Sequence, residues 1–183
     1  MLRWMAFLAG TAVLAYLSRG ALRRPHSHGF PRFFAFVAIL ALVLRNLPVW
    51  ELEPFSARQL VSWALLLASI ALVLPALKLL RGQGRPVADR GDAALFGFEK
   101  TTALVTTGLY RHIRHPMYAS LLCLAWGAFL KDPGLDESAL LVGGASVCLL
   151  LTALRDEAEC LAYFGPAYRD YMATSKRFVP FVF

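Results

Sequence analysis

Residues 108–120, which read GLYRHIRHPMYAS, place cationic and titratable side chains at the start of an apolar helix. Pro116 lacks an amide hydrogen and has a fixed φ, so it belongs in a first helical turn, with His115 at or near the cap. The amides and the positive dipole end of that turn favour an anion. Arg114 adds a planar donor fork, and Tyr118 adds a ring and a hydroxyl. The motif predicts either a ligand pocket or a basic cluster that anchors the helix against anionic lipid.

A pair of carboxylates, Asp156 and Glu157, follows the last apolar stretch of the chain. The loop before that stretch, residues 131–137, is short, so the helices on either side of it form an antiparallel hairpin. The open ends of such a hairpin meet, which brings the two acids within reach of Arg114 and His115. We expect the acids to bind an ammonium group or to pair with the arginine.

The elements that must position these residues are strongly apolar. Of the 183 residues, 58% are hydrophobic and 17% are charged, and the mean hydropathy is +0.55, which is unusual for a soluble domain. Five stretches are nearly free of charge: 1–17, 33–44, 60–80, 117–130 and 139–154. A bilayer core of about 30 Å needs roughly 20 apolar residues in a helix, and only the third stretch reaches that length without its flanks. We predict an all-α integral membrane protein with about five transmembrane helices, the first one retained because no signal-peptide cleavage site follows it.

Basic residues mark alternate connections between these stretches, as the positive-inside tendency predicts. The connection after the first stretch holds Arg19, Arg23, Arg24 and Arg32. The connection after the third holds Lys78, Arg81, Arg85 and Arg90 against Asp89 and Asp92. The other two carry Glu51, Glu53 and Arg58, then Lys131, Asp132, Asp136 and Glu137. This pattern predicts an outside N-terminus and a cytoplasmic C-terminus, and it argues that the net charge of +7 does not reflect nucleic-acid binding.

The chain divides into two predicted parts. Residues 1–80 form a three-helix transmembrane bundle, and residues 81–183 carry the candidate catalytic residues on a cytoplasmic loop, a helical hairpin at 116–155 and a C-terminal cap. Gly165 and Pro166 should break the aromatic tail into two short helices. That tail either lies along the membrane interface as an anchor or folds back over the helix ends.

Residues 104–118 resemble the signature of the isoprenylcysteine carboxyl methyltransferase family, which is related to the membrane phospholipid methyltransferases. The family pattern is roughly L-V-T-x-G-x-Y, three residues, then R-H-P-x-Y. It is matched by Leu104, Val105, Thr106, Gly108, Tyr110, Arg114, His115, Pro116 and Tyr118. A second family block, an acid pair followed by L…F-G…Y…Y and an R-F-x-P-like end, is matched by Asp156, Glu157, Leu161, Phe164, Gly165, Tyr168, Tyr171, Arg177, Phe178 and Pro180. The resemblance covers residues 101–180, and the first three helices match only in being apolar.

The resemblance implies methyl transfer from S-adenosyl-L-methionine to a lipophilic or small acceptor, such as the carboxylate of a prenylated cysteine. The cofactor-binding residues that it implies are Thr102, Ala103, Leu104, Val105, Tyr110, His115, Pro116, Met117, Tyr118, Asp156 and Glu157. The implied catalytic residues are Arg114 and His115, and the implied substrate-binding residues are Arg155 and Thr152. The cofactor is a zwitterionic amino acid, which needs an anion site and a cation site together, as the motif and the acid pair already suggested.

Three departures from the family pattern affect the substrate more than the cofactor. Thr152 stands where relatives often have an arginine that holds the substrate carboxylate, and Arg155 lies beside the acids instead. Asp156 replaces the usual glutamate, which shortens the reach by one methylene. In the upstream loop, where relatives can offer a polar side chain to the cofactor, Leu95 and Phe96 are apolar.

Two other functions stay open at this stage. The first is an NADPH-dependent membrane reductase of the related sterol reductase architecture, for which Lys100, Arg111 and Arg114 could bind the extra phosphate. The second is a non-catalytic lipid-binding membrane protein. No metal site is expected, since His26 and His28 lack an evident third ligand nearby, and Glu159 has the character of solvated surface.

Overall fold

The computed structural model describes residues 1–87, 95–133 and 137–182. Within these ranges the chain is helical and contains no strand, only the isolated bridges Pro86–Thr101 and Ile113–Lys176. The helices are α1 (Leu2–Leu17), α2 (Arg19–Leu22), α3 (Gly29–Asn46), α4 (Ala57–Gln83), α5 (Pro116–Phe129), α6 (Glu137–Phe164) and α7 (Pro166–Thr174). The predicted loop charges Asp89, Arg90, Asp92 and Asp136 lie outside the described residues. The predicted all-α class is confirmed for the described part.

Among the described residues, three helical segments are long and apolar enough to cross a membrane. They are Gly29–Val49 with 21 residues, Ala57–Gln83 with 27 and Glu137–Phe164 with 28. Large apolar side chains on these helices point outward, for example Leu67 and Leu140 with exposed fractions of 64% and 77%. The protein is therefore built as an integral membrane protein. Helices α1 and α5 have only 16 and 14 residues, so the count of five crossings stays a prediction.

Helix boundaries follow the local chemistry of the sequence at most positions. Helix α5 begins at Pro116 with His115 at its cap, as the motif predicts. Helix α6 does not end at residue 154 but continues to Phe164, so the prediction of two separate short helices in the tail was wrong for the first of them. No breaker stands before Gly165, whose φ of +60° suits glycine. Pro166 then starts α7.

Small residues let the helices pack closely as two antiparallel pairs, α4 against α5 and α3 against α6. A Cβ on Gly127 would lie 3.0 Å from the Leu66 side chain, and Ser62 donates a hydrogen bond to the Gly127 carbonyl at 2.7 Å. The core at the α3–α6 contact contains Ala35, Leu42, Ala145, Leu149 and Ala153, all without exposed surface. These contacts fix the register of the helices that carry the acid pair and the Pro116 motif.

The connections between the helices gather at two ends of the bundle. The end that we call the site end contains residues 18–28, the described part of 84–115, and residues 165–182. The far end contains residues 47–56 and 130–133 together with the start of α1, where Arg3 donates to the Arg45 carbonyl at 3.5 Å. Alternate connections therefore lie at the same end, as the predicted topology requires.

Lys131, counted among the loop charges from sequence, is buried at the far end with 1% of its surface exposed. Its ammonium donates to Gln59 Oε1 at 2.9 Å and lies 3.5 Å from the centre of the Trp63 ring. Arg58 donates to the carbonyls of Leu130 and Lys131. Arg58 thus caps the C-terminal end of α5, and Lys131 ties that end to Gln59 of α4.

Candidate functional site

A cavity of about 450 Å³ opens at the site end of the bundle. Its walls come from the turn between α2 and α3, from residues 95–105, from the start of α5, and from the end of α6 with α7. The sequence-predicted site residues that line it are Leu104, Val105, Tyr110, Arg114, His115, Pro116, Met117, Tyr118 and Asp156. The hairpin thus brings the motif and the acid pair together, and the predicted first part of the chain, residues 1–80, also contributes to the wall.

The two neighbouring acids have different surroundings. Glu157 is buried, with 7% of its side chain exposed. One of its oxygens accepts from Arg114 Nε at 2.9 Å and lies 3.3 Å from His115 Nε2, while Arg177 donates to the other at 2.8 Å. Glu157 does not line the cavity. Its contacts join α6, the start of α5 and the C-terminal tail.

Asp156 faces the cavity instead. Its Oδ2 accepts from the Tyr118 hydroxyl at 3.1 Å and lies 3.5 Å from His115 Nδ1. Within the described part of the chain, its Oδ1 has only the weak thiol donor of Cys160, at 3.6 Å. Among the described residues, Asp156 is thus held by one oxygen while the other keeps most of its capacity to accept hydrogen bonds from a ligand.

The guanidinium of Arg114 is engaged by the protein. Besides Glu157, it donates to the Met172 carbonyl at 3.2 Å and to the Ser175 carbonyl. The backbone joins in, since Arg114 donates through its amide to the Lys176 carbonyl at 2.7 Å. The guanidinium of Arg114, which the sequence predicted to bind a ligand anion, therefore holds the C-terminal tail over the start of α5.

His115 lies between the two acids and is buried with 6% of its surface exposed. Its ring stacks on Tyr118 with 5.3 Å between the ring centres. Burial lowers the pKa of His115, but hydrogen bonds to Asp156 and Glu157 outweigh burial and raise the pKa above its usual value. The imidazole is therefore suited to carry a positive charge, which makes it a poor general base near neutral pH. His112, the other histidine of the motif, is exposed and lies against Phe181.

A buried charge network beside the cavity was missed from the sequence. His28, with 1% of its surface exposed, contacts Glu159 through its Nδ1 at 2.7 Å and through its amide at 2.8 Å. Arg32 pairs with Glu99 at 2.5 Å and lies 4.3 Å from the centre of the Phe96 ring. Glu159, which was expected to be solvated surface, has 39% of its side chain exposed but also binds the buried His28. The placement of Arg32 among loop charges was wrong, since Arg32 is buried in α3. The spacing of four between His28 and Arg32, on one helix face, was the available signal.

The two predicted substrate-binding residues do not reach the cavity. Thr152 is fully buried, and its hydroxyl donates to the Cys148 carbonyl one turn back in α6. Arg155 points to the turn between α2 and α3, where it donates to the Pro25 carbonyl at 2.6 Å and to the Ser27 carbonyl at 3.3 Å. Neither side chain lines the cavity.

Two of the predicted cofactor-binding residues, Thr102 and Ala103, lie beside the cavity without lining it. Their amides donate to the Gly84 carbonyl at 2.9 and 3.1 Å, which anchors this segment to the end of α4. Downstream, Gly108 has a φ of +59°, and a Cβ there would lie 2.7 Å from the Leu79 side chain. The glycine of the motif is therefore required both by the turn and by its contact with α4.

Aromatic side chains complete the cavity wall. Phe164 from α6 and Tyr168 from α7 stack with 6.5 Å between ring centres, and the Tyr171 hydroxyl donates to the Tyr110 carbonyl at 2.6 Å. Burial raises the pKa values of Tyr110, Tyr168 and Tyr171, so these phenols stay neutral. The cavity thus combines one accepting carboxylate with an apolar, aromatic lining.

The comparison with known proteins adds one finding. A family model described as phospholipid methyltransferase matches residues 57–162, which is more than half of the chain. The match begins with α4 and extends through the Pro116 motif and the acid pair into the last turn of α6. No curated protein and no solved structure matches the chain.

Proposed function

Because the chain belongs to the phospholipid methyltransferase family, which is related to the isoprenylcysteine carboxyl methyltransferases, we propose that it is a membrane-embedded methyltransferase that uses S-adenosyl-L-methionine. The acceptor in this proposal is a lipophilic or small molecule, for which the carboxylate of a prenylated cysteine is the leading example. The observation that carries the proposal is the cavity to which both the Pro116 motif and Asp156 of the acid pair contribute. In it, Asp156 offers an oxygen beside an aromatic wall.

The residues of this cavity fit the proposed cofactor. Its volume of about 450 Å³ lies in the range of roughly 300–1,000 Å³ that is usual for ligand pockets. Asp156 would accept hydrogen bonds from the ammonium group. The first-turn amides of α5, at Met117 and Tyr118, have no carbonyl partner within their own helix and favour a negative group. Leu104 and Val105 provide an apolar surface for a flat ring.

When bound, S-adenosylmethionine supplies an electrophilic methyl group on a positively charged sulfur. The chain contributes binding and alignment, and Tyr168 and Tyr171 in the cavity wall would offer ring faces to a positively charged group. His115, with a carboxylate against each of its ring nitrogens, is suited to hold a proton and not to remove one from the acceptor. This favours an acceptor that arrives as an anion, such as a carboxylate, over a thiol or an amine that must first lose a proton.

The proposal is tested with protein purified in mild detergent. Calorimetry should detect S-adenosylhomocysteine with micromolar affinity and no binding of NADPH. Labelled S-adenosylmethionine should then transfer its methyl group to a component of a lipid extract. A product that base hydrolyses to volatile methanol is a methyl ester and supports a carboxylate acceptor, whereas a base-stable product indicates methylation of nitrogen, sulfur or a phenolic oxygen. NADPH binding without any response to S-adenosylhomocysteine would instead support the reductase.

The proposal includes an arrangement in the membrane. We place the site end in the cytoplasm, where S-adenosylmethionine is available, with five crossings and the C-terminal tail acting as a cap. The basic connections at that end support this orientation. The contacts of Arg114 with the carbonyls of Met172 and Ser175 support the cap. Residues 81–183 then form the catalytic part, completed by the turn between α2 and α3.

A further inference from the structure

Most charged side chains that line the cavity are already paired within the protein. Arg114 is held by Glu157 and by two carbonyls of the C-terminal tail. His115 contacts both Asp156 and Glu157, and His28 contacts Glu159. Glu99 pairs with Arg32. Arg24 differs, since it lines the cavity and its guanidinium makes no hydrogen bond or ion pair within residues 1–87, 95–133 and 137–182. It is a cation at the cavity with its full donor set available.

The turn that carries Arg24, residues 24–28, is held at several points by α6. Arg155 of α6 donates to the carbonyls of Pro25 and Ser27. At the end of the turn, Glu159 of the same helix binds both the amide and the ring of His28. Within the turn, the amide and the hydroxyl of Ser27 both donate to the Arg24 carbonyl, at 2.9 and 2.8 Å. The backbone that presents Arg24 is thus held against the helix that carries the acid pair.

We propose that Arg24 is an anion-binding residue of this cavity, which recognises a carboxylate or phosphate on a ligand that also contacts Asp156. A guanidinium binds such groups through two parallel hydrogen bonds. The anion has two possible sources, the carboxylate of the cofactor or an anionic group of the acceptor. The inference rests on the proposed function and adds to it a residue from the first part of the chain. Arg155 and Glu159 act as positioning residues for the turn.

The test compares Arg24→Gln with the matched control Arg23→Gln. Both arginines are exposed and adjacent, but only Arg24 lines the cavity. The probes are S-adenosylhomocysteine, its analogue that lacks the carboxylate, and the labelled-methyl assay at varied concentrations of lipid extract. A thermal melt of each variant checks the fold, which an exposed side chain should leave unchanged.

Each source of the anion predicts its own result. If Arg24 binds the cofactor carboxylate, Arg24→Gln weakens S-adenosylhomocysteine binding about tenfold or more and leaves the analogue unaffected. If it binds an acceptor anion, affinity for S-adenosylhomocysteine is unchanged and the apparent KM for the extract rises by a similar factor at constant kcat. Arg23→Gln should match the wild type in both assays.

Two outcomes would overturn the inference, and they are distinguishable. If the wild type binds S-adenosylhomocysteine and transfers methyl groups, but Arg24→Gln behaves like Arg23→Gln throughout, only the role of Arg24 is refuted. If the wild type binds no S-adenosylhomocysteine and transfers no methyl group, the proposed function falls, and the role of Arg24 falls with it.

Discussion

Replacement of Asp156 and of Glu157 by their amides should affect different properties, ligand affinity in the first case and stability in the second. Asp156→Asn should weaken S-adenosylhomocysteine binding and cost less stability than Glu157→Gln, because only one oxygen of Asp156 is held, by Tyr118 and His115, while the other keeps most of its accepting capacity. Glu157→Gln should destabilise the fold, because Glu157 is buried among Arg114, Arg177 and His115. A shared role in binding would instead predict similar losses of affinity.

The magnitudes follow from these contacts. A charge-assisted hydrogen bond contributes roughly 1.5–3 kcal/mol, so Asp156→Asn should lower affinity about 10- to 150-fold. Removal of one charge from a buried ion pair costs roughly 3–5 kcal/mol. The amide of Glu157→Gln keeps one accepting oxygen, which places the expected loss at about 3 kcal/mol, or about 6–12 °C in Tm for a chain of this size.

The assay is calorimetry with S-adenosylhomocysteine in detergent, paired with a thermal melt of each variant. Asp170→Asn, at an exposed acid on α7, is the matched control and should change neither measurement. Unchanged affinity in Asp156→Asn with the fold intact would refute the cofactor site. A Glu157→Gln variant that melts like the wild type but no longer binds would show that the two roles are reversed.

Three further predictions concern stability and topology. Arg114→Lys should lower the free energy of unfolding by about 2–4 kcal/mol, since an ammonium cannot reproduce the contacts with Glu157 and the tail carbonyls. A thermal melt compared with that of Arg111→Lys, a control at an exposed residue, checks this, and equal Tm values for the two variants would contradict it. The pKa values of His28 and His115 are raised in the fold, so their stabilisation is complete below about pH 6.5 and should be lost as pH rises through the raised values. Tm measured from pH 6 to 9 should therefore fall, and a flat profile would mean that folding does not raise either pKa. The topology is tested by introducing single cysteines into a variant that lacks Cys123, Cys148 and Cys160. Cysteines introduced at Gly82 and Ala173 should react with a membrane-impermeant reagent only from the cytoplasmic side, and one introduced at Glu53 only from outside. Labelling of all three from one side would exclude five crossings.

The parts of the fold that depend on local chemistry were predictable from the sequence. Pro116 can start a helix but cannot continue one, so the first turn of α5 was placed correctly. The short loop before α6 required a hairpin, and the hairpin brings Arg114 to Glu157. The end of α6 was misplaced because the change from apolar to charged residues at Arg155 was taken for a helix end. Composition changes there, but backbone propensity does not change until Gly165.

The partners of the charged residues could not be predicted in the same way. His28 and Glu159 are separated by 131 positions, and their contact depends on the register of α3 against α6, which small residues such as Ala35 and Ala145 determine. For the same reason Arg155, adjacent in sequence to the acids, points away from them to the Pro25 carbonyl. Residues that follow each other on a helix differ in direction by about 100°. Sequence proximity to the acid pair was therefore a poor guide to the cavity.

The unbroken length of α6 has a consequence for how the protein depends on its membrane. Its 28 residues extend over about 42 Å, whereas the hydrocarbon layer is about 30 Å thick. If α6 enters that layer at Glu137, the layer ends close to Asp156, which lies about 29 Å along the helix. The cavity then opens where acyl chains give way to headgroups. A change of a few ångströms in bilayer thickness would shift this opening relative to a lipid-dissolved molecule, so hydrophobic mismatch would act directly on access to the site.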